Sequence, residues 1–184
     1  MIEAYSPYFG PLILKFKCPE HIVQSIQDIG DIERKRNPKN RRIEGEFLDE
    51  RPADLVALRW RIPIEKRLNE YIDFYLNEAG EKSSYDIESL WVNYMRKGEY
   101  QPHHNHSGDL SYNLIVQQPE GLGESGTLYF SYGEKQAFNK TLYRVVPERG
   151  DLIIFPSWVT HYVYPTTTES ERITAAGNIL FFFF

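Results

Sequence analysis

The sequence is poor in cysteine and in long apolar runs. Cys18 is the only cysteine among 184 residues, which excludes an intrachain disulfide and a cysteine-rich zinc site. No apolar run approaches the ~20 residues that a membrane helix needs. The N-terminus also lacks the basic start and apolar segment of a signal peptide. We therefore expect a soluble, cytoplasmic protein that has no membrane partner.

An excess of positive charge is also lacking. The chain has 26 acidic and 21 basic residues, and its formal net charge of -5 disfavours nucleic acid as a partner. Six basic residues are concentrated between Arg34 and Arg42, where an acidic partner can make contact. A solvated surface loop is the simpler interpretation of this segment.

The pattern of the chain changes near residue 85. Before that point, helical spacing predicts one helix that begins at Pro19 and ends at Gly30. It also predicts a helical segment over Ala53 to Trp60, and a further helix that restarts at Pro63 and ends at Gly80. The length suits one domain, with residues 1–84 as a helical supporting part and residues 85–184 as a second part of the same domain.

After residue 85 the apolar pattern has a period of two. The 13 tyrosines and 11 phenylalanines favour strands. Short apolar runs separated by turn residues predict a mainly β unit, an antiparallel sandwich or barrel with the helices on one outer face. The predicted strands are Ser89–Arg96, Leu110–Gln117, Thr127–Ser131, Leu142–Val146, Asp151–Phe155, His161–Tyr164 and Arg172–Phe183.

Four of the five histidines lie in this strand-rich half. His104 and His106 are two residues apart, so in an extended chain they point to the same side, separated by ~7 Å of backbone. His103 points to the other side, and His161 stands at a distant strand edge. Because neutral imidazole is a common metal ligand, the three histidines other than His103 predict a site for iron, zinc, copper or nickel rather than calcium or magnesium.

Four motifs in order resemble the iron(II)/2-oxoglutarate-dependent oxygenases. Gly98 precedes His104 by six residues, as a glycine turn precedes the first metal histidine in that family, and Arg172 follows His161 by eleven. The resemblance covers residues 88–183 and is strongest to a small prolyl-hydroxylase-like branch found in phage and marine bacteria. The motifs are Trp91–Gly98 with His104-Asn-His106, Gly126–Phe130, Gly150–His161 and Arg172-Ile-Thr174.

The resemblance implies a double-stranded β-helix, a cupin-like jelly-roll, formed by the metal-binding part at residues 85–184. It also implies Fe(II) as the metal, with 2-oxoglutarate and dioxygen as co-substrates. His104, His106 and His161 then correspond to the metal ligands. A buried far carboxylate of 2-oxoglutarate needs a cation, for which Arg172 is the candidate, with Thr174 adding a hydroxyl.

Two residues on the strand before the metal histidines are further candidates for cofactor binding. Asn93 and Tyr94 are neighbours, so only one of them faces the interior of a jelly-roll. Related hydroxylases carry a cofactor-binding tyrosine at the spacing that separates Tyr94 from His104. Periodicity alone does not separate the two residues.

One position departs from the family pattern, since His106 stands where the family carries a carboxylate. Either three histidines hold the metal, or Asp109 takes the place of His106. The leading function is hydroxylation of a peptide or small molecule, coupled to oxidative decarboxylation of 2-oxoglutarate. The alternatives are a three-histidine cupin-type dioxygenase that does not use 2-oxoglutarate, and a non-catalytic jelly-roll binding module.

Overall fold

A computed structural model describes residues 10–36, 54–57 and 62–182 of the chain. Most of the basic segment between Arg34 and Arg42 lies outside these ranges. The helices are α1 (Glu20–Arg36) and α2 (Ile62–Ala79), and a short 3-10 turn spans Gly123–Gly126. The strands are β1 (Leu14–Lys17), β2 (Asp54–Ala57), β3 (Ser84–Ile87), β4 (Trp91–Met95), β5 (Gln101–His104), β6 (Leu110–Gln117), β7 (Leu128–Ser131), β8 (Leu142–Val145), β9 (Asp151–Pro156), β10 (Thr160–Val163) and β11 (Arg172–Phe182).

The strands of the described residues form two antiparallel sheets. The large sheet has the order β1-β9-β6-β11-β4-β2, and β3 pairs with the far end of β11. The small sheet has the order β5-β10-β7-β8. The long strand β11 pairs with both β4 and β6, so it lies in the middle of the large sheet. The mainly β architecture predicted from the period of two is confirmed.

Side chains alternate between the two faces of the large sheet and form two cores. On the outer face, residues such as Val92, Leu114 and Ile173 join one cluster with the buried residues of the two helices. On the inner face, Met95 and Ile153 join a second cluster with residues of the small sheet. The second cluster therefore fills the space between the sheets, and side chains in phase with it face the same interior.

The two long helices predicted from the sequence are confirmed, but Gly30 does not end the first. Helix α1 continues to Arg36, and Gly30 is buried against β4. A methyl group at this position would lie 2.6 Å from the Tyr94 hydroxyl oxygen. The glycine therefore allows the helix to approach the sheet closely, whereas the sequence pattern suggested a helix stop. No helix of the described residues is long and apolar enough to cross a membrane.

The prediction of a helical segment over Ala53 to Trp60 is wrong where the structure describes it. Residues 54–57 form strand β2, which pairs with β4 along its whole length. Backbone hydrogen bonds to an available sheet edge outweigh the weak helical preference of so short a segment. The other residues of that prediction lie outside the described ranges.

The seven strands predicted after residue 85 are confirmed to within two residues at each end where the chain is described. Strands β1, β3 and β5 were missed. Strand β5 has the sequence Gln-Pro-His-His, which carries no alternating apolar pattern. Its extended form depends on its antiparallel partner β10.

Candidate metal centre

Two of the three candidate histidines face each other across a pair of strands. His104 in β5 and His161 in β10 are direct register partners, and their ring centroids are 4.2 Å apart. His106 lies two residues beyond β5, where its backbone N–H donates to the Ser157 carbonyl oxygen at 2.9 Å. Its ring lies 4.9 Å from that of His104 and 5.0 Å from that of His161. The three imidazoles offer ligand nitrogens that all lie within 4.8 Å of one another.

Backbone carbonyls orient two of these rings. The Nδ1 atom of His104 lies 2.7 Å from the Pro102 carbonyl oxygen, and the Nδ1 atom of His161 lies 3.0 Å from that of Val159. A carbonyl only accepts, so each Nδ1 must carry the proton, which leaves the Nε2 lone pair of each ring for a metal. The His106 ring is held by ring contacts instead, including one with Trp91 at 5.8 Å.

Burial keeps the three histidines neutral. Loss of solvation lowers the pKa of His106 to about 4, and it lowers the pKa of His104 and of His161 as well. A neighbouring imidazole adds to the effect in each case, His103 for His104 and the other candidate ligands for His106 and His161, because two imidazolium ions close together repel. All three rings are therefore neutral at pH 7, the form in which imidazole binds a metal.

The other two residues considered for this site lie elsewhere. His103 is exposed on the outer face of the small sheet, where its ring packs 3.9 Å from that of Tyr162. A carboxylate oxygen of Asp109 accepts the backbone N–H of Phe181 at 2.7 Å, and Asp109 is outside the group of converging ligand atoms. The alternative in which Asp109 replaces His106 therefore loses its geometric basis.

The interior face of the large sheet holds a buried cation with which none of the described acids pairs. Arg172 is 2% exposed, and its Nη1 atom contacts the Met95 sulfur at 3.6 Å. The Nε and Nη2 atoms of Arg172 are buried and have no hydrogen-bond partner. Burial lowers the pKa of this guanidinium to about 10, so it is still charged at pH 7. A buried charge of this kind is costly unless an anion pairs with it.

Neutral polar groups lie on the same face. The Asn93 Nδ2 atom donates to the Thr174 hydroxyl at 3.3 Å, while the Asn93 Oδ1 atom is buried without a partner. Asn93, Met95, Arg172 and Thr174 therefore share one face across the β4–β11 pair. Unpaired buried polar atoms concentrated on one face are typical of a site that a polar ligand completes.

The position of Tyr94 differs from that of a cofactor-binding residue. It belongs to the core between the large sheet and the helices, on the opposite face of β4 from Asn93. Its hydroxyl donates to the Asp31 carboxylate at 3.0 Å, and the Arg34 guanidinium lies 4.1 Å from its ring centroid. Tyr94 therefore holds α1 against the sheet, and the expectation that it binds the cofactor is not supported by its position.

Comparison with known proteins identifies the family. A family model described as 2OG-Fe(II) oxygenase matches residues 89–178, the segment that carries the three histidines and Arg172. The match covers 90 of the 184 residues, and it confirms the resemblance to the 2OG-Fe(II) oxygenases that the sequence motifs indicated. The enzyme class expected from the sequence, a 2-oxoglutarate-dependent dioxygenase, is confirmed by this match, and Fe(II) and 2-oxoglutarate are the cofactors of the matched family. None of the curated proteins matches this oxygenase in sequence.

Solved structures, two of them prolyl hydroxylases, are similar to this chain in fold. The viral collagen prolyl hydroxylase from Paramecium bursaria Chlorella virus-1 has a TM-score of 0.64 at 12% identity, over 91% of this chain and 94% of its own. A prolyl-4-hydroxylase from Pseudomonas putida has a TM-score of 0.65 at 14% identity, over 90% of each chain. HygX from Streptomyces hygroscopicus, with nickel and 2-oxoglutarate bound, has a TM-score of 0.56 at 11% identity, over 95% of this chain and 84% of its own. The double-stranded β-helix expected from the sequence is confirmed.

The side chains of the oxygenase fit both cofactors. Three neutral imidazoles with converging nitrogens suit a divalent transition metal. The orphaned guanidinium atoms of Arg172 suit a carboxylate, which a planar fork of N–H groups binds through two hydrogen bonds.

Sequence reasoning missed a buried hydrogen-bonded trio behind the metal centre. The Ser111 hydroxyl lies 2.8 Å from that of Ser157 and donates to the Asn178 Oδ1 atom at 3.0 Å. The backbone carbonyl of Ser157 anchors His106, so the trio supports the loop that presents this histidine. Only the in-phase position of Asn178 with Arg172 hinted at this arrangement in the sequence.

Proposed function

We propose that the chain is a hydroxylase that oxidises a C–H bond of a peptide or small molecule, with 2-oxoglutarate converted to succinate and carbon dioxide. In this proposal His104, His106 and His161 hold iron(II), and Arg172, Thr174 and Asn93 bind 2-oxoglutarate. The bound iron would supply the activation of dioxygen that amino-acid side chains cannot perform. The remaining tasks, binding and orientation, belong to the residues of this chain.

The unpaired Arg172 guanidinium is the observation that carries the proposal. Its buried Nε and Nη2 atoms would donate to the far carboxylate of 2-oxoglutarate, which removes the cost of an isolated buried cation. The Thr174 hydroxyl, which already accepts from Asn93, would donate its own hydrogen to the same carboxylate. Arg172 and Thr174, two residues apart on the same face of β11, therefore supply a charge and a directional hydrogen bond.

Apolar side chains next to the histidines support the proposal, because they exclude water from the metal site. Phe130 and Phe155 flank His161 with ring centroids 5.9 Å and 4.8 Å away, and both belong to the core between the sheets. An apolar wall next to the ligands limits access of water to the reacting groups. The carbonyls of Pro102 and Val159 would keep His104 and His161 in their metal-binding orientation during turnover.

Formation of succinate from 2-oxoglutarate tests the proposal. Wild-type protein given Fe(II), dioxygen and 2-oxoglutarate should form succinate even without a primary substrate, through slow uncoupled turnover. We expect His104→Ala to reduce succinate formation at least tenfold. His103→Ala is the matched control, since His103 is exposed on the other face of β5, and it should retain the wild-type rate. Equal rates for the two variants would refute the assignment of the ligands.

The three-histidine set also favours a second candidate, a dioxygenase that does not use 2-oxoglutarate. This candidate leaves the Arg172 guanidinium without a role. It requires dioxygen uptake that is independent of 2-oxoglutarate and unchanged in Arg172→Ala. Measurement of dioxygen uptake with and without 2-oxoglutarate distinguishes the two activities, and a non-catalytic binding module would show neither.

A further inference from the structure

We propose that the metal centre binds a monoanion in addition to 2-oxoglutarate. This anion is either a carboxylate of the primary substrate or a free inorganic anion such as chloride. The inference rests on the proposed function, because it presupposes that the three histidines hold iron(II) and that Arg172 binds 2-oxoglutarate. It follows from the charge of the groups that surround the site.

The loaded site would carry one uncompensated positive charge. The three histidines are neutral ligands, so the charge of iron(II) is not reduced by the protein, and Arg172 adds a further positive charge. The two carboxylates of 2-oxoglutarate balance all but one of these charges. An aspartate at position 106 would complete the balance, but His106 cannot, because an imidazole ligand is neutral.

The acids nearest in sequence do not supply the missing charge, because each already has a partner elsewhere. The Asp109 carboxylate accepts the backbone N–H of Phe181 at 2.7 Å. Glu171 precedes Arg172 but lies on the other side of β11, where its carboxylate accepts two hydrogen bonds from Arg34 at 2.8 Å and 2.9 Å. Neither carboxylate is in the group of converging ligand atoms.

Among the residues that the structure describes, the interior face of the large sheet offers no other acid near the site. Asp151, at the far end of β9, pairs with the Lys15 and Lys17 ammonium groups at 3.1 Å each. Apart from Arg172, the polar side chains that the described strands β4, β6 and β11 direct to this face are amides and hydroxyls. These neutral residues are Asn93, Ser111, Asn113, Thr174 and Asn178.

A buried site with one excess positive charge attracts a monoanion more strongly than a neutral site does. Two unit charges a few ångström apart interact strongly at the low effective dielectric constant of a protein interior. Screening by salt is weak for groups as buried as these. The primary substrate would therefore bind best when it presents a carboxylate to the metal centre, unless a free anion occupies that position first.

The test is an anion titration of the loaded protein. Wild-type protein is loaded anaerobically with Fe(II) and 2-oxoglutarate, and sodium chloride or sodium acetate is added while sodium perchlorate keeps the ionic strength constant. We expect a saturable shift of the visible absorption band that iron(II) and 2-oxoglutarate produce together. His106→Asp should weaken anion binding at least tenfold, because the aspartate supplies the missing charge. His103→Asp is the matched control, because it places the same carboxylate on the exposed outer face of the small sheet, and it should bind the anion within about threefold of wild type.

The outcomes separate the sources of the anion. Saturation by chloride identifies a free inorganic anion, whereas saturation by acetate alone identifies the carboxylate of an organic substrate. A loaded wild-type protein that responds to neither anion overturns the inference, as does equal anion affinity in His106→Asp. Failure of the band to form at all overturns the proposed function as well, and the loading step detects it before any anion is added.

Discussion

Among single residues, Arg172 is the side chain whose surroundings most clearly require a ligand. Its guanidinium is buried with two nitrogen atoms unpaired, so the protein without 2-oxoglutarate carries the cost of an isolated charge. The same side chain therefore has opposite effects on stability and on binding. This contrast can be measured with one substitution.

Substitution of Arg172 by methionine tests that contrast. Methionine fills much of the same volume and brings no charge, so the free energy of unfolding of the metal-free protein should stay the same or rise by about 1–3 kcal/mol. The affinity for 2-oxoglutarate should fall at least tenfold, because the charge-assisted hydrogen bonds are lost. Chemical denaturation and calorimetric titration measure the two quantities. A loss of stability without a loss of 2-oxoglutarate affinity would contradict the assigned role.

The lowered pKa values of the three histidines predict how stability depends on pH. The pKa of each is lower in the folded protein than its ordinary value of about 6.5 in the unfolded chain. Below about pH 6.5 the unfolded chain therefore binds more protons than the folded protein does. The free energy of unfolding consequently decreases as the pH falls below that value.

Urea denaturation with a metal chelator present measures this loss. We expect the free energy of unfolding to fall by about 2 kcal/mol or more between pH 7.5 and pH 5. In His106→Asn, whose side chain does not titrate, the fall should be smaller. The same pH dependence in wild type and variant would show that His106 does not carry the effect.

At the scale of whole elements, strands with many buried apolar residues were predicted from the sequence, whereas short polar strands were not. Strand β6 was predicted at its observed bounds because its apolar residues lie between turn residues, and both of its faces are covered in the structure. Strand β5 was missed because it is polar and short, and only its pairing with β10 makes it a strand. Asn93 and Tyr94 could not be separated because helices cover one face of β4 and the small sheet covers the other.

The candidate site was predictable to the extent that its residues are in phase along one strand. The spacing of two between His104 and His106, and between Arg172 and Thr174, predicted shared faces, and the structure has both pairs on shared faces. The buried hydrogen-bonded trio behind His106 could not be predicted. Its members, Ser111, Ser157 and Asn178, come from three segments that meet only in the folded sheet.

The middle of β11 gives a prediction about packing. A methyl group on Gly177 would lie 1.9 Å from the Ser89 carbonyl oxygen and 2.3 Å from the Tyr112 hydroxyl. Neither the backbone nor the hydrogen-bonded tyrosine can move away at low cost. We therefore expect Gly177→Ala to lower the free energy of unfolding by about 1–3 kcal/mol. Urea denaturation checks this value, and a change below about 0.5 kcal/mol would contradict the close packing at this position.

In the whole molecule, the N-terminal half contributes strands as well as helices. Strand β1 pairs with β9 and strand β2 pairs with β4, so the large sheet includes both halves of the sequence. Helices α1 and α2 share a single core cluster with this sheet. In the described residues, the change of sequence pattern near residue 85 is therefore not a boundary between two separately packed parts, because the helix-side core includes residues from both halves.

Shared strands and a shared core predict a single unfolding transition for residues 1–184. Loss of tertiary structure followed by tryptophan fluorescence and loss of secondary structure followed by circular dichroism should have the same urea midpoint. Two separated midpoints would indicate that the helical part unfolds independently of the jelly-roll, against the proposal of one domain.

The assignment of the three histidines and Arg172 is tested most directly by anaerobic titration with Fe(II) and 2-oxoglutarate. We expect the wild-type protein and His103→Ala to develop the weak visible absorption band that iron(II) and 2-oxoglutarate give together. We expect His161→Ala to lack it, and Arg172→Ala to require at least tenfold more 2-oxoglutarate. Folded wild-type protein that develops no band, or a His161→Ala variant with an undiminished one, would contradict the account.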